Sequence, residues 1–264
     1  MASQDDPALK QLYRTFITGC HILHYHGVLD AYGHLSARHP SKPEIFIMSR
    51  YIAPGTISSE RDLIEYRVED AEPVDPGAPK GYSERCIHSE LYKRYPGVQS
   101  VIHSHSEAVV PYSISGTKTP IFDIAYHLLP TDAKDMLVRN THLGAALAAC
   151  FSDNNDENHD PTDTTPKHAV VLMRGHGFTT HASSIQECVL RAIYTQKNAG
   201  IQTTALITHN AFFKGGIEAD AAEIKYLDEE EAAASTEMTK WSAYRPWGLW
   251  VREVEAQGMY VNQV

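Results

Sequence analysis

The sequence predicts an α/β fold built on a central sheet, and three observations carry that expectation. Short apolar runs rich in β-branched residues (EIFIMS, VQSVIH, HAVVLM) alternate with longer stretches whose apolar residues recur at helical spacing. No internal repeat is visible, which argues against a solenoid or a propeller. The 264 residues, 42% hydrophobic and 21% charged, can bury a proper core without disulfides or a structural metal. One domain over residues 1–264 is the expected organisation.

The elements follow in order. Pro7 to about Val28 reads as a helix, because Leu9, Leu12, Phe16, Ile17, Cys20 and Leu23 lie near one face. GHLSARHP and EIFIMS are two extended runs joined by the turn between Pro40 and Pro43, and DLIEYRVED is a further strand. After the turn-rich AEPVDPGAPKG comes a helix from Ser83 to Tyr95, a Pro-Gly turn, and a strand from Val98 to His103. SEAVVPYSIS predicts a helix, PIFDIAYHLL an extended run and turn, and THLGAALAACF a helix. Residues 152–166 are polar and acidic and are expected to form a mobile surface loop. HAVVLMRGHGFTTHAS gives two strands around a Gly-His-Gly turn. A long helix from Ser184 to about Thr208 follows, with Ser at its cap and Glu187 in its first turn. An acidic surface helix is expected from Ala219 to Met238. The tail, residues 241–264, concentrates three tryptophans in ten residues and must pack on something.

Charge narrows the function classes. The net charge is −10, with 23 basic against 33 acidic residues and no Lys/Arg cluster, so nucleic acid and anionic membranes are poor partners. MASQDDPALK has no basic segment leading into an apolar run, and no stretch approaches ~18 apolar residues. A cytoplasmic protein acting on a small molecule is the expectation. The four cysteines are widely separated, with no C-x-x-C pair, and read as small buried hydrophobes.

Histidine is the unusual residue, with 15 copies. His103 and His105 are two apart at the end of a strand, so their imidazoles point to one face if the extended conformation persists through Ser104. Glu84 precedes Ile87 and Leu91 by three and seven residues, which places its carboxylate on the apolar face of a helix, where a buried charge needs a partner. His176 sits between two glycines after an apolar strand, Ala169 to Met173. Three imidazoles and a carboxylate make a candidate site for a divalent metal, and such mixed donors accept zinc, manganese, iron or cobalt.

Taken together, GHLSAR, Ser83-Glu84 at a helix start, VIHSHS, and LMRGHG before a long helix resemble the class II aldolase/adducin family in order and approximate spacing, over about residues 9 to 210. The resemblance implies an αβα layered domain with a central mixed sheet, and a homotetramer with active sites at subunit interfaces. It also implies that His103, His105 and His176 bind the metal and that Glu84 is an acid/base residue that can touch it. Adducin-like members lack these ligands, so their presence points to an enzyme. Where sugar-phosphate aldolases of the family hold phosphate, this chain has Gly33-His34, a Pro54-Gly55 turn and Tyr82-Ser83. GHLSARHP, the MSR segment, Y-S-E-R-x-I-H and the terminal R-P-W-x-L-W instead resemble the branch that decarboxylates hydroxylated aromatic acids.

The expected activity is therefore a metal-dependent lyase, decarboxylating a hydroxylated, aromatic carboxylic acid. A retro-aldol lyase on a non-phosphorylated substrate, an iron-dependent oxygenase and a non-catalytic adducin-like protein are the alternatives. His34 or Glu84 would donate the proton that the reacting carbon needs. Arg50 is a candidate to hold a second substrate carboxylate, against the alternative of a surface salt bridge. Ser83 and Trp247 are candidate substrate contacts, and Tyr260 is a candidate catalytic group. Packing is the competing reading for Trp247 and Tyr260.

Overall fold

The computed structural model describes residues 6–152, 164–213 and 224–264. The acidic segment at 152–166 falls outside them apart from its ends, as does the start of the acidic helix expected from Ala219.

Helix α1 (Pro7–Tyr25) begins where the Asp6 side chain accepts hydrogen bonds from the Ala8 and Leu9 amides, with Pro7 in the first turn. It ends at Gly27, whose φ of +68° suits glycine. Strands β1 (His34–Arg38), β2 (Ile45–Ser49) and β3 (Leu63–Arg67) form an antiparallel meander. Helix α2 runs Arg85–Arg94, two residues shorter at its start than the sequence predicts. Glu84 stands at its N-cap, because the preceding chain is tied to Arg50 through the Gly81 bridge. Strand β4 (Ser100–Ser104), helix α3 (Val110–Ser115), strand β5 (Ile121–Phe122) and helix α4 (Thr141–Ala149) follow. Strands β6 (Val170–Met173) and β7 (Gly177–Ala182) pair across the Gly-His-Gly turn. Helices α5 (Ile185–Phe213), α6 (Glu229–Ser242) and α7 (Tyr244–Glu255) complete the chain. α6 starts where Asp228 and Glu231 form a capping box, ten residues beyond the expected start.

The seven strands are ordered β3-β2-β1-β4-β7-β6-β5, antiparallel except for the parallel β5–β6 pair, so the sheet is mixed as expected. Helices cover both faces, and β1, β2, β4 and β7 are consequently buried along their whole length. Strand parity divides the core. Leu35, Ala37, Ile102 and Phe178 face α1, α5 and α7, whereas Met48, Val101, Val171 and Met173 face α2 and α4. His34, Ser36 and His103 share the parity of the second set and point to the α2 side. Among the described residues no helix is long and apolar enough to cross a membrane.

Candidate metal centre

The centre forms where β1, β4 and the β6–β7 turn meet the start of α2. His103 is the fourth residue of β4, and His105 lies one residue beyond the strand's end; their Nε2 atoms are 3.0 Å apart. His176 is presented by the tight turn between β6 and β7. That turn packs so closely on β4 that a Cβ on Gly177 would lie 1.9 Å from the Ser104 carbonyl oxygen. Glu84 Oε2 is 3.8 Å from His103 Nε2 and 4.0 Å from His176 Nε2. One donor atom from each of Glu84, His103, His105 and His176 lies within 4.8 Å of the other three. Ligands bound at about 2.0–2.2 Å to one ion sit roughly 3 to 3.5 Å from their neighbours, so the donor set fits a shared divalent cation.

Groups behind the four donors hold them in place. His105 Nδ1 lies 3.4 Å from Asp30 Oδ1, the carboxylate–imidazole pairing that orients a metal-binding ring. The same Asp30 oxygen accepts from the Tyr32 and Gly33 amides. Burial works against its ionisation, but those two amides and His105 outweigh it and keep the carboxyl below its usual range. Glu84 Oε1 accepts from the Val138 amide at 3.1 Å. Burial opposes ionisation here too, yet His34, His176 and that amide lower the carboxyl's pKa. Burial, and then the neighbouring imidazoles, push the His103 ring well below its ordinary value and keep it neutral, as a ligand must be.

Val138 comes from the stretch between Leu129 and Thr141, to which the sequence assigns no element. Asp132 organises it, accepting from the Leu129 amide, the Asn140 side chain and His142. Met136 adopts a φ of +67° within it, a conformation rare for a side chain of that size.

His34 lies beside the four donors. Its Nε2 is 3.9 Å from Glu84 Oε2, and its ring centroid is 5.1 Å from that of His103. That nitrogen is buried and makes no hydrogen bond among the described residues. The opposite nitrogen, Nδ1, is 2.7 Å from His88 Nε2. His88 closes the Y-S-E-R-x-I-H motif, but sequence reasoning gave it no role, although it falls four residues after Glu84, a spacing that places it on the same side of a helix.

The remaining expected residues take up varied positions. Arg50 Nε donates to Asp62 Oδ1 at 2.9 Å, which is the salt bridge of the competing reading. Asp62 is buried, and the Ser58 and Ser59 amides also donate to it. The arginine side chain stays 43% exposed, so the rest of its guanidinium remains open to a ligand. Ser83 is exposed immediately before Glu84. Tyr260 and Trp247 are placed with α1 and not with the four donors. The Tyr260 hydroxyl pairs with His24 Nδ1 at 2.9 Å and its ring rests against His21, while Trp247 packs on the α1–α5–α7 core.

Residues 14–203 match the family described as Class II Aldolase and Adducin N-terminal domain. The chain belongs to that family. Among curated relatives of this class II aldolase/adducin chain is the decarboxylase tropJ of Talaromyces stipitatus, 49% identical over 94% of this chain and 96% of that protein. A 3,4-dihydroxyphthalate decarboxylase of Arthrobacter keyseri is 30% identical over 79% of this chain and 84% of its own length. The fold is similar to that of an aldolase II superfamily protein from Pseudomonas syringae, at a TM-score of 0.69 and 18% identity, covering 97% of each chain. It is also similar to L-fuculose 1-phosphate aldolase from Glaciozyma antarctica, at 0.67 and 16%, covering 99% of this chain and 97% of that one. The αβα layers and mixed sheet implied by the sequence motifs are thus those of a class II aldolase.

Proposed function

We propose that this class II aldolase/adducin chain is a metal-dependent lyase that decarboxylates a hydroxylated aromatic carboxylic acid. The observation that carries the reading is a four-donor centre with His34 buried beside it, in a chain 49% identical to a decarboxylase along nearly its whole length. Glu84, His103, His105 and His176 would hold the ion, and the open positions of such a centre supply Lewis acidity to a substrate with adjacent oxygens.

The rest of the chemistry belongs to the protein's own groups. As the bond to the carboxylate breaks, its electron pair stays on the ring and the same carbon takes up a proton. Glu84 is held as a carboxylate and is suited to bind a cation or accept a proton. The donor's role therefore falls to His34, whose Nε2 lies 3.9 Å from Glu84 Oε2 and makes no hydrogen bond among the described residues. Arg50, fixed through Nε by buried Asp62, is proposed to take a second substrate carboxylate, and exposed Ser83 to contact the substrate.

Other parts of the proposal rest on the sequence and on the family resemblance. The ion is zinc, manganese, iron or cobalt, the chain acts in the cytoplasm as one domain, and four copies form a tetramer with sites at their interfaces. Tyr260 and Trp247 would reach a site only through such an interface.

The deciding experiment is carbon dioxide release from a panel of ortho-hydroxylated aromatic acids under nitrogen, with each divalent metal and with a chelator. Release that needs metal supports the proposal. An aldehyde product would move the assignment to a retro-aldol lyase, and strict oxygen consumption with iron to an oxygenase.

A further inference from the structure

His34 heads a file of four polar side chains that runs into the core on the α2 side of the sheet. His34 Nδ1 meets His88 Nε2 at 2.7 Å, His88 Nδ1 meets Ser36 Oγ at 2.6 Å, and Ser36 Oγ meets the Tyr92 hydroxyl at 2.7 Å. The file exists because β1 places His34 and Ser36 two apart on one face, while α2 places His88 and Tyr92 four apart on the side facing them. All four residues are buried, and His88 and Ser36 are fully so.

We infer that Tyr92, Ser36 and His88 are positioning residues that lock His34 as the tautomer carrying its proton on Nε2, the nitrogen turned toward the metal centre. A phenol in the core keeps its proton, since burial strongly raises its pKa, and among the described residues that proton meets one acceptor, Ser36 Oγ. Ser36 then has a single proton to give, and its other partner is His88 Nδ1. His88 accepts there and so carries its own proton on Nε2, which donates to His34 Nδ1. His34 is left with its proton on Nε2. Run in the opposite sense, the file strands the Tyr92 proton in the core with no acceptor among the described residues, and a buried donor left unpaired is costly. Burial also pushes the pKa of His88 well down, in keeping with a neutral ring in mid-file.

The inference deepens the proposed role of His34 as proton donor, and its test separates the two. Neutron diffraction of the zinc-loaded, deuterium-exchanged protein reads the protons directly, with no variant that must fold. Deuterium on Nε2 of both His34 and His88, with none on their Nδ1 atoms, is expected; deuterium on His34 Nδ1, whole or partial, overturns the inference. Kinetics on the substrate acid supply a second arm. Tyr92→Phe, remote from the metal, should lower kcat about tenfold or more with KM little changed, and His88→Leu should cost about a hundredfold. His88→Gln, which keeps an N–H for His34, should recover most of that loss. A Gln variant no better than Leu, or a Phe variant with unchanged kcat, would remove the positioning role. Should deuterium sit on Nε2 while His34→Gln turns over normally, the lock stands and the donor assignment falls.

Discussion

His103 and Glu84 are both buried and both donors to the same point, yet their removal should have different consequences. His103→Ala takes away an imidazole that stands in front of the buried Thr179 hydroxyl, 3.4 Å from its Nδ1, and both bound metal and turnover are expected to be lost. Glu84→Gln keeps an oxygen at the same place and the hydrogen bond from the Val138 amide, so most of the metal should stay while kcat falls about a hundredfold or more. Elemental analysis beside steady-state kinetics separates the two cases, and a Gln variant with normal turnover would refute an acid/base role for Glu84. At this scale the sequence was informative about identity and silent about support. Four donors could be picked out because His-x-His on a strand and His between glycines are local patterns. Asp30, Val138, Ser36 and Tyr92 could not, because a contact between residues 52 to 75 positions apart leaves no period along the chain.

Two features of strands and turns govern whether the centre forms. The β6–β7 turn approaches β4 so closely that Gly177→Ala would push a methyl against the Ser104 backbone. A clash with backbone cannot be relieved by a rotamer change, so a loss of about 1–3 kcal/mol is expected, together with loss of metal as His176 moves off His105. Thermal melting and metal content of the variant check both. Strand β7 also carries His181, whose Nε2 donates to the His168 carbonyl at 3.0 Å and whose ring packs on Phe151. Burial pushes its pKa down to about 4, although that carbonyl pulls the other way. Between pH 6.5 and about 4 the unfolded chain therefore binds a proton that the folded chain refuses, and this contribution to stability is lost as pH falls through that window. From pH 7 to pH 5 the wild type should lose about 2 kcal/mol more than His181→Gln, by urea denaturation at each pH. Equal losses would mean that His181 titrates normally in the fold. Element positions were legible to within a few residues where apolar periodicity was strong, as in α1, β2 and α5. The start of α2 falls two residues late, because the tie between Arg50 and Gly81 and the environment of Glu84 override helical pattern there.

For the molecule as a whole, the centre joins segments more than ninety residues apart, so an ion bound there stabilises only the folded chain. Free metal at about a hundred times its dissociation constant should add about 2.7 kcal/mol, seen as a rise in Tm that a chelator reverses and that His103→Ala lacks. An unchanged Tm would mean that the four groups do not share an ion. The sequence by itself determined the alternation of strands and helices, the family, and the residue types that can grip a cation, because each of these is written in local spacing or in the order of motifs. Only the tertiary structure decided which groups stand behind the donors, that His34 backs onto His88, that Tyr260 packs against α1, and that Trp247 packs on the α1–α5–α7 core. The physical reason is that burial and hydrogen-bond partners are set by which faces meet across the sheet, and that meeting is a property of the packed layers and not of any one stretch of chain.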